Sequence, residues 1–341
     1  MTDSSADRRL EDAAEGQPFS ALTPDALLNA LEGIGLDVDG RLMALNSYEN
    51  RVYQVGLASG GFCIAKVYRP GRWSSAAIDE EHRFLAELVE AEIPVVPPQS
   101  VGGRTLNERD GFRIAVFPRQ GGRAPEFDNL DTLRRMGHLL GRLHLVGARA
   151  EYRVRPSLNL DTFGTRPLQL LRDGDWLPPE LSTPYFQTAD IALQRVADCF
   201  ARAGNVARLR LHGDCHAGNV LWTDDGPCLV DFDDSRMGPA VQDVWMLFSG
   251  DAARQAEQCR AFLDGYQTFR PFPRAEWHLV EALRTLRLIH YAAWLAERWR
   301  DPAFPAAFPW FETPRYWQER VLELKEQIAL MDEAPVFLSA I

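Results

Sequence analysis

The segment from Leu211 to Asp233, LHGDCHAGNVLWTDDGPCLVDFD, constrains the fold of this chain more than any other segment. Asp214 is followed five residues later by Asn219 and twelve residues after that by Asp231, and an apolar run precedes each aspartate. The second half, GPCLVDFD, predicts a short buried strand after an Asp-Asp-Gly turn. The two carboxylates therefore project from loop and strand ends, where functional groups are usually held.

These intervals are typical of phosphoryl transfer from ATP. That reaction needs a carboxylate at the acceptor hydroxyl, oxygen ligands for magnesium and a lysine on the phosphates. The string HGDCHAGN matches the kinase catalytic-loop form H-x-D-x-x-x-x-N, with Asp214 at the base position and Asn219 at the metal position. Asp231 matches the aspartate that opens the DFG element, so it is predicted to be both a catalytic and a metal-binding residue.

A lysine motif lies upstream of these carboxylates. Phe62-Cys-Ile-Ala-Lys66 matches the V-A-I-K strand, so Lys66 is predicted to hold the α and β phosphates of ATP. On the helix that follows, Glu81 is predicted to orient Lys66. Glu80 is the alternative, and the sequence does not decide between the two glutamates.

Together these motifs resemble the stress response kinase A family of bacterial Ser/Thr protein kinases. This family lies within the aminoglycoside phosphotransferase and choline kinase branch of the protein-kinase-like superfamily. The resemblance covers nearly the whole chain after the N-terminal tail, through the segments LNSYENRVYQ, KVYRPGRW, LHGDCHAGNVLW, VDFDDSRMGPAVQDVWML, IHYAAWLAERW, FPWF and YWQERV. It implies that Asp214 is the proton acceptor, that Asn219 and Asp231 bind magnesium, and that Lys66 and Ser47 lie at the nucleotide.

The chain departs from the general kinase pattern at three places. Ser47 lies in LNSYENRVY, which stands where kinases usually carry G-x-G-x-x-G and lacks those glycines. DFD replaces DFG, so Asp233 either contributes to the metal site or caps a turn. Only eleven residues separate Asp231 from Asp243, which leaves no room for a long activation segment, and we expect a constitutively competent enzyme. The resemblance also implies that His212 and Asp243 support the catalytic loop.

The fold class predicted from these patterns is α+β, a two-lobed protein-kinase-like fold with a small antiparallel-sheet N-lobe and a helical C-lobe. With 341 residues the chain is too long for one core of ordinary size. We predict a disordered tail over residues 1–18, a nucleotide-binding N-lobe over residues 19–118, and a catalytic and substrate-binding C-lobe over residues 119–341. From VQDVWMLF onward the chain is predicted to be strongly helical.

Composition excludes several classes of function. A net charge of -11 argues against nucleic acid as a partner, because binding to phosphates needs clustered Lys and Arg. The sequence contains no uncharged apolar run of about 18 residues and has a polar N-terminus, so we expect no membrane partner, no secretory signal and a cytoplasmic location. The five scattered cysteines are expected to be reduced thiols, and HGDCHA lacks the ligand spacing of a zinc site. We expect a monomer.

The predicted function is ATP- and Mg²⁺-dependent phosphoryl transfer to Ser or Thr hydroxyls of protein substrates, with the chain itself as one candidate substrate. The motifs alone indicate phosphoryl transfer, and the protein acceptor comes only from the family resemblance. The alternative is a small-molecule kinase of the aminoglycoside, choline or homoserine type, with a cation-binding wall around DGDWLPPELSTPYFQTAD. A non-catalytic ATP-binding regulatory module is disfavoured, because a competent residue occupies every catalytic position.

Overall fold

The computed structural model describes residues 18–340. The chain divides into two compact units, one formed by the residues up to Gly122 together with Arg300–Ala303, and the other by Arg123–Trp299 and the residues from Phe304 onward. The tail predicted over residues 1–18 lies outside the described residues, apart from Pro18.

The first unit is built on an antiparallel sheet. Its strands are β1 (Val38–Leu45), β2 (Arg51–Leu57), β3 (Phe62–Val67), β4 (Asn107–Arg109) and β5 (Phe112–Pro118). The five strands lie in the order β1-β2-β3-β5-β4, so β3 is central. The turn between β2 and β3 contains Gly60 and Gly61, whose φ angles of 93° and 81° favour glycine.

The described part of the first unit also contains two helices, α1 (Pro24–Gly33) and α2 (Ser75–Glu90). Both begin where the sequence offers an N-cap, because the hydroxyl oxygens of Thr23 and Ser74 each accept a backbone N–H bond at 3.2 Å. The apolar face of α1 is buried in one cluster with side chains from β2, β3 and β5. Sheet and helix therefore share one core.

The second unit is mainly helical. The helices of this part of the chain are α3 (Leu130–Gly147), α4 (Arg166–Asp173), α5 (Pro179–Ala203), α6 (Ala252–Tyr266), α7 (Val280–Arg298), α8 (Ala303–Ala307) and α9 (Pro314–Asp332). Its short strands are β6 (Leu209–Arg210), β7 (Val220–Thr223), β8 (Gly226–Leu229) and β9 (Met237–Gly238). β6 pairs with β9 and β7 with β8, both antiparallel. The predicted α+β class, with an antiparallel sheet followed by a helical part, is confirmed.

Close packing of α3 on α6 depends on glycine. A Cβ at Gly137 of α3 would lie 2.1 Å from the main-chain oxygen of Phe262 of α6, a distance that no side chain tolerates. The same approach brings His144 of α3 within 2.9 Å of the Tyr266 hydroxyl of α6. Among the residues that the structure describes, no helix combines the length and apolar character needed to cross a membrane.

The prediction that VQDVWMLF is helical needs a correction. It forms two 3₁₀ turns, Ala240–Asp243 and Trp245–Leu247, and no α-helix. Buried apolar side chains recur every third residue, at Val241, Val244 and Leu247, which fits three residues per turn. The N–H of Val241, which has no partner within this first turn, donates to the buried carboxylate of Glu276 at 2.9 Å.

Candidate active site

A buried carboxylate anchors the loop between β6 and β7. Asp243 accepts one hydrogen bond from the N–H of His212 and one from the N–H of Gly213, both at 2.8 Å. The Nε2 atom of His144 lies 3.1 Å from the same carboxylate, and Nδ1 of this ring lies 2.9 Å from the Tyr266 hydroxyl. Because Asp243 and His144 are fully buried, this network fixes the start of the loop.

His212 and Gly213 hold the loop against the residues on the two sides of the DFD turn, Val230 and Asp234 respectively. Gly213 has φ of +90°, and a Cβ there would lie 2.1 Å from the main-chain oxygen of Asp234, so only glycine fits. The imidazole of His212 donates from Nε2 to the main-chain oxygen of Val230 at 2.8 Å and accepts the N–H of Asp214 at Nδ1 at 3.3 Å. His212 and Asp243 are thus buried and hydrogen-bonded, as expected for supports of the loop.

Asp214 carries an ionised carboxylate with two partners. Its Oδ1 accepts a hydrogen bond from Nη1 of Arg287 at 2.6 Å, and its Oδ2 lies 3.3 Å from Nε2 of His216. The ring of His216 accepts the N–H of Gly218 at Nδ1, which leaves Nε2–H to donate to Asp214. Burial raises the pKa of Asp214, but the hydrogen bond from His216 and the charge of Arg287 outweigh burial and hold this pKa well below its usual value.

Asn219 is oriented by the same loop. Its side-chain nitrogen donates to the main-chain oxygen of Asp214 at 3.0 Å, and its main-chain oxygen accepts the N–H of Val230, also at 3.0 Å. With the amide nitrogen engaged in the loop, the amide oxygen is the atom suited to a hard cation. The role of Asn219 as a metal ligand stays a prediction.

Asp231 follows β8 and has an unusual backbone conformation. Its φ of 59° and ψ of 72° fall in the left-handed region, which a non-glycine residue adopts at a cost of about 1–3 kcal/mol and most often at functional sites. The side chain is exposed. The turn that follows is held by the buried Arg155, which donates to the main-chain oxygens of Asp233 and Ser235 at 2.9 and 2.7 Å.

The predicted nucleotide-binding residues lie in the first unit. Ser47 is half-buried in the connection between β1 and β2. Lys66 is buried on the central strand β3, with its Nζ 5.0 Å from the centre of the Tyr68 ring. Glu80 and Glu81 are both buried on α2, so burial does not distinguish them as partners of Lys66, and the choice of Glu81 stays a prediction.

The connection that carries Ser47 is fixed without glycines. Arg69, from the YRPGRW segment, donates from Nε to the main-chain oxygen of Glu49 at 2.9 Å and from its N–H to Oδ1 of Asn50 at 3.0 Å. Its Nη2 forms a buried ion pair with Asp301 at 2.7 Å. We refer to Glu49, Asn50, Arg69 and Asp301 as the loop clamp. It makes this connection an ordered structure and not a flexible glycine-rich flap.

The structure brings together the predicted site residues of the second unit. Asn219 bonds directly to Asp214, and Val230, which precedes Asp231, bonds to both Asn219 and His212. Carboxylate and amide oxygens are the donors that Mg²⁺ prefers, so Asn219 and Asp231 fit that ion. In the described part of the chain, no group of three or more His, Cys, Asp or Glu side chains is arranged to hold a metal.

A thiol role at this loop is not supported. Cys215 is fully buried, and burial raises its pKa well above the usual value, so it is neither a thiolate nucleophile nor an accessible ligand. All five cysteines are free and buried.

Three functional contacts were missed in the sequence. Arg287 pairs with Asp214 across 73 residues, a separation that no local spacing indicates. His216 stands in the predicted motif, but the motif assigns no role to this position. Arg155 is a buried arginine in an irregular segment, and sequence alone gives no sign that it holds the DFD turn.

Comparison with known proteins places the chain in a family. The chain matches the phosphotransferase enzyme family over residues 42–281. Stress response kinase A of Escherichia coli (strain K12) is 43% identical over 321 residues, which cover 94% of this chain and 97% of the relative. The serine/threonine protein kinase RdoA of Salmonella typhimurium (strain LT2) is 43% identical with the same coverage.

Solved structures share the fold at low identity. Amicoumacin kinase hAmiN, in complex with AMP-PNP, Ca²⁺ and Ami, has a TM-score of 0.70 and 19% identity, and covers 92% of this chain and 95% of its own. The microcompartment-associated aminopropanol kinase has a TM-score of 0.67 and 19% identity, and the match covers 93% of this chain and 100% of that kinase. The predicted protein-kinase-like fold is therefore confirmed. The chain belongs to the phosphotransferase enzyme family, in which the stress response kinases A are its relatives.

Proposed function

We propose that this phosphotransferase moves the γ-phosphoryl group of ATP, in the presence of Mg²⁺, to Ser or Thr hydroxyls of proteins. The observation that carries the proposal is the state of Asp214. It is an ionised, half-buried carboxylate held in one hydrogen-bonded loop with Asn219 and with the residue before Asp231. Its relatives at 43% identity, named serine/threonine protein kinase RdoA and stress response kinase A, support the protein acceptor.

The proposed step moves one phosphoryl group and one proton. A bond forms between the acceptor hydroxyl oxygen and the γ-phosphorus, the bond between this phosphorus and the β,γ-bridging oxygen breaks, and ADP leaves. The hydroxyl proton passes to the carboxylate of Asp214 and then to solvent. Because the pKa of Asp214 lies below its usual value, we infer that this residue mainly orients the hydroxyl and accepts the proton late, which suits a loose transition state.

The remaining roles are assigned by chemistry. Asn219 and Asp231 would hold Mg²⁺, which when bound neutralises charge on the phosphates. Lys66 and Ser47 bind the nucleotide, and Glu81 or Glu80 orients Lys66. The loop clamp supports this proposal, because an ordered connection at Ser47 can present backbone N–H groups without closing as a flap.

Constitutive activity is part of the proposal. The short segment after Asp231 is held by buried bonds, since the Ser235 hydroxyl donates to the main-chain oxygen of Leu211 at 2.6 Å and lies 2.7 Å from the Tyr152 hydroxyl. A segment that is already hydrogen-bonded needs no phosphorylation to become ordered.

The small-molecule alternative has less support in this chain. Two acids in or beside the segment predicted to bind a cation are already engaged, because Asp190 pairs with Arg172 at 2.9 Å and Asp173 accepts from Gln169 at 2.6 Å. The solved kinases of small molecules share only the fold at 19% identity. The five buried free cysteines support a cytoplasmic setting for the enzyme.

The experiment that tests the proposal incubates the purified chain with γ-labelled ATP and Mg²⁺ in three arms. They contain the chain alone, a library of Ser/Thr peptides, and a panel of aminoglycosides and amino alcohols. Phosphoserine or phosphothreonine in either of the first two arms supports the proposal. Label found only on small molecules would contradict the protein acceptor. The Asp214→Asn variant is the matched control for a contaminating kinase.

A further inference from the structure

Helix α7 has one face that carries three basic and two aromatic side chains. We refer to this set as the α7 basic face, and its members are Arg284, Arg287, Tyr291, Trp294 and Arg298. Spacings of three and four residues place them on the same side of the helix. All five are exposed or half-buried, whereas the residues between them on the opposite side, such as Leu286 and Ile289, are fully buried. Arg284 and Arg287 thus reach the surface, with 36% and 46% of their side chains exposed. Tyr291 and Trp294 also pack against a buried apolar cluster, and the Arg298 side chain is only 10% exposed.

Arg287 joins this surface to the candidate active site. Its Nη1 donates to Oδ1 of Asp214 at 2.6 Å, and its side chain keeps 46% of its surface exposed. A guanidinium has five N–H donors in a fork, more than one carboxylate oxygen can take. An arginine in this position can therefore also bind an anionic group on an incoming acceptor.

Aromatic contacts give the rest of this face a defined shape. The rings of Tyr291 and Trp294 stack with their centres 5.6 Å apart and an interplanar angle of 17°. The guanidinium of Arg298 lies 5.4 Å from the centre of the Trp294 ring. Arginine and aromatic side chains that are already ordered are the groups that carry most of the binding energy in protein interfaces.

The counter-ions on α7 distinguish Arg287 from the other two arginines. Arg284 pairs with Glu281 at 3.1 Å and Arg298 pairs with Glu297 at 2.5 Å, so each has a carboxylate on its own helix. Arg287 has Asp214, the carboxylate to which the acceptor hydroxyl must bind in the proposed reaction. Binding of the acceptor thus competes with Arg287 for the same oxygen atom.

We propose that Arg287 determines the specificity for the acceptor and selects Ser or Thr residues that have acidic neighbours. An Asp or Glu of the peptide pairs with the guanidinium, which leaves Oδ1 of Asp214 to receive the hydroxyl. A cationic acceptor is disfavoured, because like charges repel beside Asp214 and offer Arg287 no replacement for its partner. This inference rests on the proposed protein kinase function and names the substrate class of that site.

The test uses the full chain and three Ser peptides of equal length, whose flanking residues are Glu, Gln or Lys. We expect the kcat/KM ratio of the Glu peptide to the Lys peptide to be roughly tenfold or more, the effect of one charge pair. Arg287→Gln should bring this ratio near one and Arg287→Glu should invert it, whereas Arg287→Lys should keep part of the preference. The control is Arg315→Gln, which removes an exposed arginine of α9 and should leave the ratio unchanged.

Further readouts distinguish a role of Arg287 in acceptor recognition from a structural role, and distinguish its failure from a failure of the proposed protein kinase function. Mg-ATP affinity should be unchanged in the Arg287 variants, and each variant is assayed well below its own thermal midpoint, so a change in the peptide ratio reports acceptor recognition. Equal kcat/KM for the three peptides in the parent, or an unchanged ratio in Arg287→Gln, would overturn the role of Arg287 and leave the protein kinase proposal standing. Phosphorylation of aminoglycosides or amino alcohols, with no peptide or protein labelled, would overturn both.

Discussion

The side-chain nitrogen of Asn219 donates a hydrogen bond to the main-chain oxygen of Asp214 across 3.0 Å. The residue proposed to bind the metal and the residue proposed to receive the acceptor hydroxyl are thus parts of one rigid loop. Positions fixed in this way before substrate binds lower the cost of reaching the reactive geometry. In the proposed reaction this loop would therefore couple metal binding to the position of the acceptor.

Replacement of Asp231 by alanine is expected to abolish Mg²⁺-dependent binding of ATP and turnover together. The carboxylate lost is the charged member of the proposed metal pair, and the charge on the triphosphate would remain unneutralised. Titration calorimetry with Mg-ATP measures the effect. Asp224→Ala, which removes an exposed carboxylate in the turn between β7 and β8, is the control for charge. Parental Mg-ATP affinity in a folded Asp231→Ala variant would remove Asp231 from the metal site.

Lys66 offers a chemical test, because it is one of only two lysines in the chain. The other, Lys325, is exposed on α9. An acyl-phosphate derivative of ATP should acylate Lys66, and excess Mg-ATP should protect Lys66 but not Lys325. Lys66→Met should lower kcat/KM and leave the fold intact, since the amine acts as a point charge on the phosphates. Equal labelling of both lysines with no protection would show that Lys66 does not contact the nucleotide.

The loop clamp predicts that a single variant loses more free energy of unfolding than the double variant. Arg69 and Asp301 are a buried pair, with side-chain exposures of 8% and 7%. Asp301→Leu should lower the free energy of unfolding by about 3–5 kcal/mol, because it leaves the buried Arg69 without this partner. The Arg69→Met/Asp301→Leu double variant should recover most of that loss, which chemical denaturation would measure. If the loss in the double variant equalled the sum of the losses in the two single variants, the two charges would not be coupled.

Glu276 predicts a pH dependence of stability. Burial raises its pKa to about 7, against the opposing effects of the Val241 N–H bond and the charge of Arg270. In the unfolded chain this carboxyl has its ordinary pKa, near 4.5, so the unfolded state ionises at a lower pH than the folded state. The contribution of Glu276 to the free energy of unfolding is therefore fully present below pH 4.5 and is lost as pH rises through about 7.

The free energy of unfolding of the parent should therefore fall by about 3 kcal/mol between pH 4.5 and pH 8 because of this group. Glu276→Gln, which keeps an oxygen acceptor for Val241, should lack this loss and exceed the parent in thermal midpoint at pH 8. Glu326→Gln, at an exposed position on α9, is the control. Parallel stability curves for parent and Glu276→Gln over this pH range would contradict the shifted pKa.

The sequence predicted local features of the fold and the site well. Turn glycines, N-caps and alternating apolar residues act over a few neighbours, so the hairpin before β3 and the start of α2 follow from their own segments. Asp214 and Asn219 could be found for the same reason, since one short loop carries both.

Contacts between distant segments could not be predicted from pattern. Arg287 reaches Asp214 across 73 residues, and Arg69 reaches Asp301 across 232. Such pairs depend on tertiary packing, which periodicity does not encode. The apolar spacing of three residues in VQDVWMLF resembles that of an α-helix, so the pattern predicts a helix where the structure has 3₁₀ turns. The buried acceptor Glu276 lies 35 residues from Val241, so no local pattern indicates this bond.

The most direct test of the central claim is Asp214→Asn, measured on one preparation for thermal midpoint, Mg-ATP affinity and single-turnover phosphoryl transfer to a Ser peptide. The substitution is nearly isosteric but removes the charge that pairs with Arg287. We therefore predict a folded protein with a modestly lower midpoint, an almost unchanged Mg-ATP affinity and a rate lowered roughly 10²–10⁴-fold, the usual range for a positioned proton acceptor. A structural Asp214 would instead lose stability and nucleotide binding, and its rate would fall only with the folded fraction. Transfer at the parental rate would contradict the assignment of HGDCHAGN as a catalytic loop.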